Sequence, residues 1–176
     1  MSVQRFGISA VVLAFAAACA IAFLSSPGSA QQADQPFATK AATAGMEEVR
    51  LGQLAQQRGS SEAVKEFGKR MEVDHTKAGD QLRSIAQKDN MSLPGDLTHA
   101  DQSTVDRLSK LSGDAFDKAF AHQMLEDHEG AVALFRREAS SGQNPDMKRF
   151  AADTLPTLED HLSHARELVR TTGAER

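Results

Sequence analysis

Apolar residues recur along this chain at steps of three and four, with no stretch that alternates for long at a step of two. The clearest series is Val64, Phe67, Met71, His75, Ala78, Leu82 and Ile85, which predicts a helix over about 62–88. Before it, Ala41, Ala44, Glu48, Leu51 and Ala55 define one face of a helix over about 37–58, with Glu48 the polar member of the stripe. Gly59-Ser60-Ser61 ends the first helix and caps the second. After Ser92-Leu93-Pro94-Gly95-Asp96, a turn sequence, a short helix is expected over about 100–111, with Val105, Leu108 and Leu111 on its face. Phe116, Phe120, Met124, His128, Ala131 and Phe135 predict a helix over about 115–140. Phe150, Leu155, Leu158, His161 or Leu162, Ala165 and Leu168 predict one over about 146–171, with Pro145 placed to open it. Pro156 is expected to kink or split that last helix.

These elements imply an all-α fold. Four long helices and one short connecting helix make a four-helix bundle the default. The segment between the second and third long helices is long enough to cross from one end of the bundle to the other.

Three copies of one outline lie on these helices. Met71-Glu72-Val73-Asp74-His75, Met124-Leu125-Glu126-Asp127-His128 and Thr157-Leu158-Glu159-Asp160-His161 each end in Asp-His. Each His has an apolar residue seven positions on, namely Leu82, Phe135 and Leu168, so each faces the core. His75, His128 and His161 lie about 13, 13 and 15 residues into their helices, at 1.5 Å per residue. Mid-helix positions share a level in a bundle whichever way a helix points. Glu48, His75, His128 and His161, with Glu72 one turn before His75, are therefore candidates for one polar layer. Two arrangements satisfy such a layer. Either the His and Glu side chains bond to one another and fix register, or they collect a divalent metal. Imidazole with carboxylate suits zinc, copper, nickel or iron. Asp74, Asp127 and Asp160 are each turned about 100° from their His, too far to share its ion. They are read as solvated flanking residues, the alternative being orientation of a His on a neighbouring helix. His164 lies one turn from His161 and is expected at the solvent edge; His99 and His122 are given no role.

Composition narrows the picture. Residues 8–24 are almost continuously apolar, follow Arg5, and precede Ser25-Ser26-Pro27-Gly28-Ser29-Ala30. That is the pattern of a secretory signal peptide cut after Ala30, with a retained anchor as the competing reading. A mobile leader over 31–36, a bundle over 37–171 and a frayed tail over 172–176 would follow. The location expected is periplasmic or secreted. Cys19 is the one cysteine, and Ala16-Ala17-Ala18-Cys19 loosely resembles a lipidation site, which is the alternative to plain secretion. Arg5 is the only charge in the first thirty residues, so the rest carries 19 basic against 24 acidic residues, a net of −5. With no basic cluster, no Trp and no Tyr, nucleic acid is not an expected partner, and no membrane span is expected in the mature chain. No nucleophile elbow or phosphate loop is present. A non-enzymatic bundle is the leading reading; a mononuclear metalloenzyme and a purely structural or partner-binding bundle are the alternatives.

With these residues in view the chain resembles a bacterial envelope family, domain of unknown function 4142, over about 37–169. The resemblance rests on Glu48-Val49-Arg50-Leu51-Gly52, Met71-Glu72-Val73-Asp74-His75, Leu93-Pro94, Phe116-Asp117, His128 and Leu155-Pro156-Thr157-Leu158-Glu159-Asp160-His161. It implies a ferritin-like bundle in the cell envelope, with a part in envelope homeostasis or stress tolerance. Ferritin-like di-iron proteins take a Glu from two helices and Glu-x-x-His from the other two. Here Glu48 and Glu72-x-x-His75 match that pattern, but His128 and Leu158 stand where acids are required. A mononuclear His-rich site, or none, fits better than a di-iron centre.

Overall fold

The computed structural model describes residues 27–174, with side chains from residue 32. The expected signal peptide, apart from 27–30, and Cys19 lie outside the described residues. Five helices follow in order: α1 (Pro27–Arg58), α2 (Glu62–Lys88), α3 (His99–Ser109), α4 (Gly113–Ser141) and α5 (Pro145–Thr172). α1 packs along α2 and α4 along α5, and the two pairs close on each other. Phe37, Leu82, Phe135 and Phe150 share one core cluster; Leu51, Phe67, Phe120 and Leu168 share the other. Chain direction follows from those two sets. α2 and α4 run the same way, and the segment carrying α3 returns the chain from one end to the other. This is the one-crossover topology of ferritin-like bundles. Among the described residues no helix is long and apolar enough to cross a membrane.

Local chemistry sets the boundaries. Ser61 accepts from the Val64 amide at 3.3 Å to start α2, and Thr98 and Asp101 form a capping box that starts α3. Asn144 accepts from Asp146 and Met147 with Pro145 behind it, which starts α5. Two buried acids fasten the ends. Asp117 accepts from the amides of Ser60 and Ser61, 2.9 and 2.8 Å away. Asp34 accepts from the amides of Gln143 and Asn144.

Two expectations change. Residues 32–36, read as a leader ahead of the bundle, belong to α1. Their polar sequence has no apolar period; what engages them is the Asp34 contact with the α4–α5 turn and the Gln35 side-chain amide donating to the Ser92 carbonyl oxygen at 2.6 Å. Of the kink or split expected at Pro156, the split does not occur, because α5 is continuous from 145 to 172. The carbonyl that a Pro leaves without its amide faces water on this exposed side of the helix.

α1 and α2 touch backbone to backbone. A Cβ on Gly52 would collide with the carbonyl oxygen of Gly68 and stand 3.2 Å from Met71 Cβ. A Cβ on Gly68 would collide with Ala55 and lie 2.8 Å from the Gly52 carbonyl oxygen. Only glycine allows this approach.

Candidate metal centre

The two core clusters meet at a layer of three imidazoles. His75 comes from α2, His128 from α4 and His161 from α5, each one step further along the apolar stripe of its helix. Ring centroids are 5.7 Å apart for His75–His128, 5.5 Å for His75–His161 and 5.3 Å for His128–His161. That is close to an equilateral triangle. One nitrogen from each ring lies within 4.8 Å of the other two. His128 and His161 are each 1% exposed, and His75 is partly buried. Phe67 lies against the triangle, its ring 6.1 Å from His161 and 6.4 Å from His128.

Hydrogen bonds fix which nitrogens carry protons. His128 Nδ1 is 2.8 Å from the Met124 carbonyl oxygen, which can only accept. Nδ1 therefore carries the proton, and Nε2 keeps its lone pair. His161 Nε2 is 2.8 Å from Asp74 Oδ2 and donates to that carboxylate, leaving Nδ1 as the lone-pair nitrogen. Three buried ring nitrogens have no hydrogen-bond partner: His75 Nε2, His128 Nε2 and His161 Nδ1. Burial, then the neighbouring rings of His128 and His161, hold His75 well below the usual imidazole range. Burial and His161 push His128 down to about 4, and burial lowers His161 despite the pull of Asp74. All three rings are thus neutral at pH 7, the form that ligates metal.

The expected layer is assembled in part. Glu48 is buried at 4% exposure, and its Oε1 lies 3.8 Å from His128 Nδ1. It stands beside the proton-bearing nitrogen of that ring and is not one of the groups within 4.8 Å. Burial, then Asp127 and Glu47, push its acid well above the ordinary carboxylate range, which favours its protonated form. Glu72 does not join the layer. Three residues along a helix is 60° short of a full turn, and the close α1–α2 crossing takes up that angle. Glu72 accepts from Gln53 at 2.9 Å and from Gln56 at 2.8 Å, on the α1 side of its helix.

Asp74 is more than a solvated flank. Rotated away from His75, it reaches His161 on α5 and sets its tautomer. Arg70 binds both Asp74, at 3.4 Å, and Asp160, holding the orienting carboxylate in place. His164 is exposed, 3.6 Å from Asp160, and not part of the triangle. Glu47, on which the sequence is silent, and Asp127, expected as a solvated flank, are both tucked against the layer. Burial and Asp127 push Glu47 up to about 7, and burial pushes Asp127 up to about 6. A cavity of about 370 Å³ borders the layer, with Glu48, His75 and His161 in its wall. Gly45, Gly79 and Gly130 line it too, and a Cβ on any of them would meet nothing within 4 Å. Glycines inside long helices of otherwise good helix formers were the available signal for this space.

A family profile described as Domain of unknown function (DUF4142) matches residues 22–168. Among solved structures, the chain is similar to a DUF305 protein from Streptomyces coelicolor described as secreted, with a TM-score of 0.70 and 17% identity over 84% of this chain and 98% of that one. A DUF305 fragment from Deinococcus radiodurans gives 0.67 and 16% over 81% and 96%. CopM in its Cu(I)-bound form gives 0.66 and 15% over 78% and 96%. At these identities the likeness establishes the bundle fold alone. No curated protein sequence matches the chain.

Proposed function

We propose that this chain, which belongs to the DUF4142 family, is an exported metal-binding bundle that holds one transition-metal ion on His75, His128 and His161. One observation carries the reading: three neutral imidazoles from three helices turn partnerless nitrogens into a shared, buried space. A hydrogen-bonded core network would have paired those atoms, since each buried orphan costs about 1–3 kcal/mol. A metal ion satisfies all three at once. Metal–nitrogen bonds of 2.0–2.1 Å in a trigonal set place the nitrogens about 3.5 Å apart. Small ring rotations close the triangle from its present spacing, and the outer bonds to Met124 and Asp74 already hold two of the rings in the ligating tautomer.

Three imidazoles would leave room for a further ligand, and Glu48 lies beside the layer, 3.8 Å from His128. Glu48 is proposed as a neighbour of the site, and Glu72 is left out of it. Imidazole donors admit zinc, copper, nickel and iron. The Cu(I)-bound form of a protein with this fold supports placing copper first, beside zinc. Export rests on the apolar leader sequence and is supported by a fold relative described as secreted.

The test is a calorimetric titration of the purified chain with Zn²⁺ and, under reducing anaerobic conditions, with Cu(I). One ion per chain is expected. His75→Ala, His128→Ala and His161→Ala each abolish binding, while His99→Ala keeps it. A wild-type chain that takes up neither ion, with an unmoved melting temperature, overturns the proposal.

A further inference from the structure

The cavity beside the histidines has a direction. Its rim is exposed and comes from two helices: Lys40 and Ala44 on α1, and Glu126, Gly130 and Arg137 on α4. Its floor is buried and holds Glu48 and His161, at 4% and 1% exposure. Both floor residues carry an atom with no hydrogen-bond partner, Glu48 Oε2 and His161 Nδ1. The space thus runs from solvent, between α1 and α4, to Glu48 and to two of the three imidazoles, His75 and His161.

Its walls select what passes. Glu47, Glu48, Asp74, Glu126 and Asp127 place five carboxyl groups along it, against the two cations Lys40 and Arg137. Carboxyl oxygens, protonated or not, accept hydrogen bonds from the water shell of a hydrated cation. An ion with one shell of six waters, at about 30 Å³ per water, fits within the cavity volume of about 370 Å³. The clearance comes from Gly130 and Ala44, where a Leu would close the gap. Keeping Gly inside a helix costs about 1 kcal/mol relative to Ala.

A second groove, of about 930 Å³, also touches His75, between α1, α2 and the segment 93–99. It reaches neither His161 nor Glu48. Its charged wall is mixed, with Arg50 and Arg83 against Asp80 and Asp96, and Asp80 is already tied to Arg83.

From this we infer that the seam between α1 and α4 is the access route by which a hydrated metal cation reaches and leaves His75, His128 and His161, with Ala44 and Gly130 as its clearance residues. The inference rests on the metal-binding reading above. It adds that exchange of the ion is governed by this seam and not by opening of the bundle.

Stopped-flow measurement tests it, using the full chain and Zn²⁺ with a chromophoric chelator as reporter. Gly130→Leu should slow both association and dissociation by about tenfold or more, leaving Kd within about twofold of wild type. A Cβ at this position meets nothing within 4 Å, so the variant has room to fold. Ala44→Leu, on the facing rim, should do the same independently. Thr76→Leu, which lines only the opposite side, should leave the rates unchanged. Unchanged association in both rim variants overturns the inference, whatever their affinity. Slowing in Thr76→Leu alone overturns it in favour of the second groove. A wild-type chain that binds no Zn²⁺ at equilibrium fails one step earlier, at the metal reading itself.

Discussion

α1 meets its two neighbours in opposite ways. Against α2, Gly52 and Gly68 bring backbones together until a single added carbon would collide. Against α4, Gly130 faces Ala44 across a gap, and Gly45 and Gly79 open onto the same space. The residue type is the same and the physical role is reversed. At the crossing, glycine removes a side chain so that atoms can pack; at the seam it removes one so that nothing does. The chain therefore has a closed half, built on Phe116, Phe120 and Met124, and an open side that reaches the imidazole layer.

Four measurements break or sharpen that contrast. The largest effect is expected at the crossing. Gly68→Leu should cost about 3 kcal/mol or more in urea unfolding, because neither Ala55 nor the Gly52 backbone can retreat without separating the helices. A loss under about 1 kcal/mol would mean the crossing is soft and the contrast is false.

Next is acid. In the folded chain His128 stays neutral until about pH 4, whereas an unfolded His titrates near 6.5. The unfolded chain binds the extra proton between those values, so stability falls as pH drops through 6.5 towards 4, by up to about 3 kcal/mol for this group. The buried acids act with opposite sign. Glu47, pushed up to about 7, keeps a proton that the unfolded chain has lost above about 4.5, so stability falls as pH rises from 4.5 to 7. His128→Leu should flatten the acid limb. Glu47→Gln should flatten the neutral limb, by on the order of 1 kcal/mol after solvent screening. Profiles unaltered by both changes would place the pH sensitivity away from the layer.

Asp117→Ala comes third. It strips the Ser60 and Ser61 amides of their acceptor at the start of α2, and a loss of about 2 kcal/mol is expected in the same assay. The smallest effect has the opposite sign. Gly79→Ala puts a methyl into open space within a helix and should stabilise by about 0.5–1 kcal/mol, read as a rise in melting temperature. A fall would show that the space is already filled.

The helices were legible in the sequence because three-and-four spacing survives in every one of them. The three histidines were legible for the same reason: each completes an apolar stripe, so its direction follows from its neighbours. Glu72 was not. An offset of 60° is small on a helical projection, but where two backbones touch it decides which helix a side chain faces. For Asp74 the sequence left two roles open, a solvated flank or a His-orienting group, because which neighbouring helix it meets depends on the docking of α5. The start of α1 was hidden because Asp34 is held by amides of the α4–α5 turn, and no periodicity encodes a contact over 109 residues.

The two tautomer locks differ in reach. His128 takes its orientation from Met124, four residues back in the same helix, so that ring is set within α4 itself. His161 depends on Asp74, separated from it by 87 residues. Its free nitrogen is aimed only once α5 has docked on α2. The histidine triangle is therefore complete only in the closed bundle, because one of its rings is oriented from a different helix. Its completion reports that the last helix has come home.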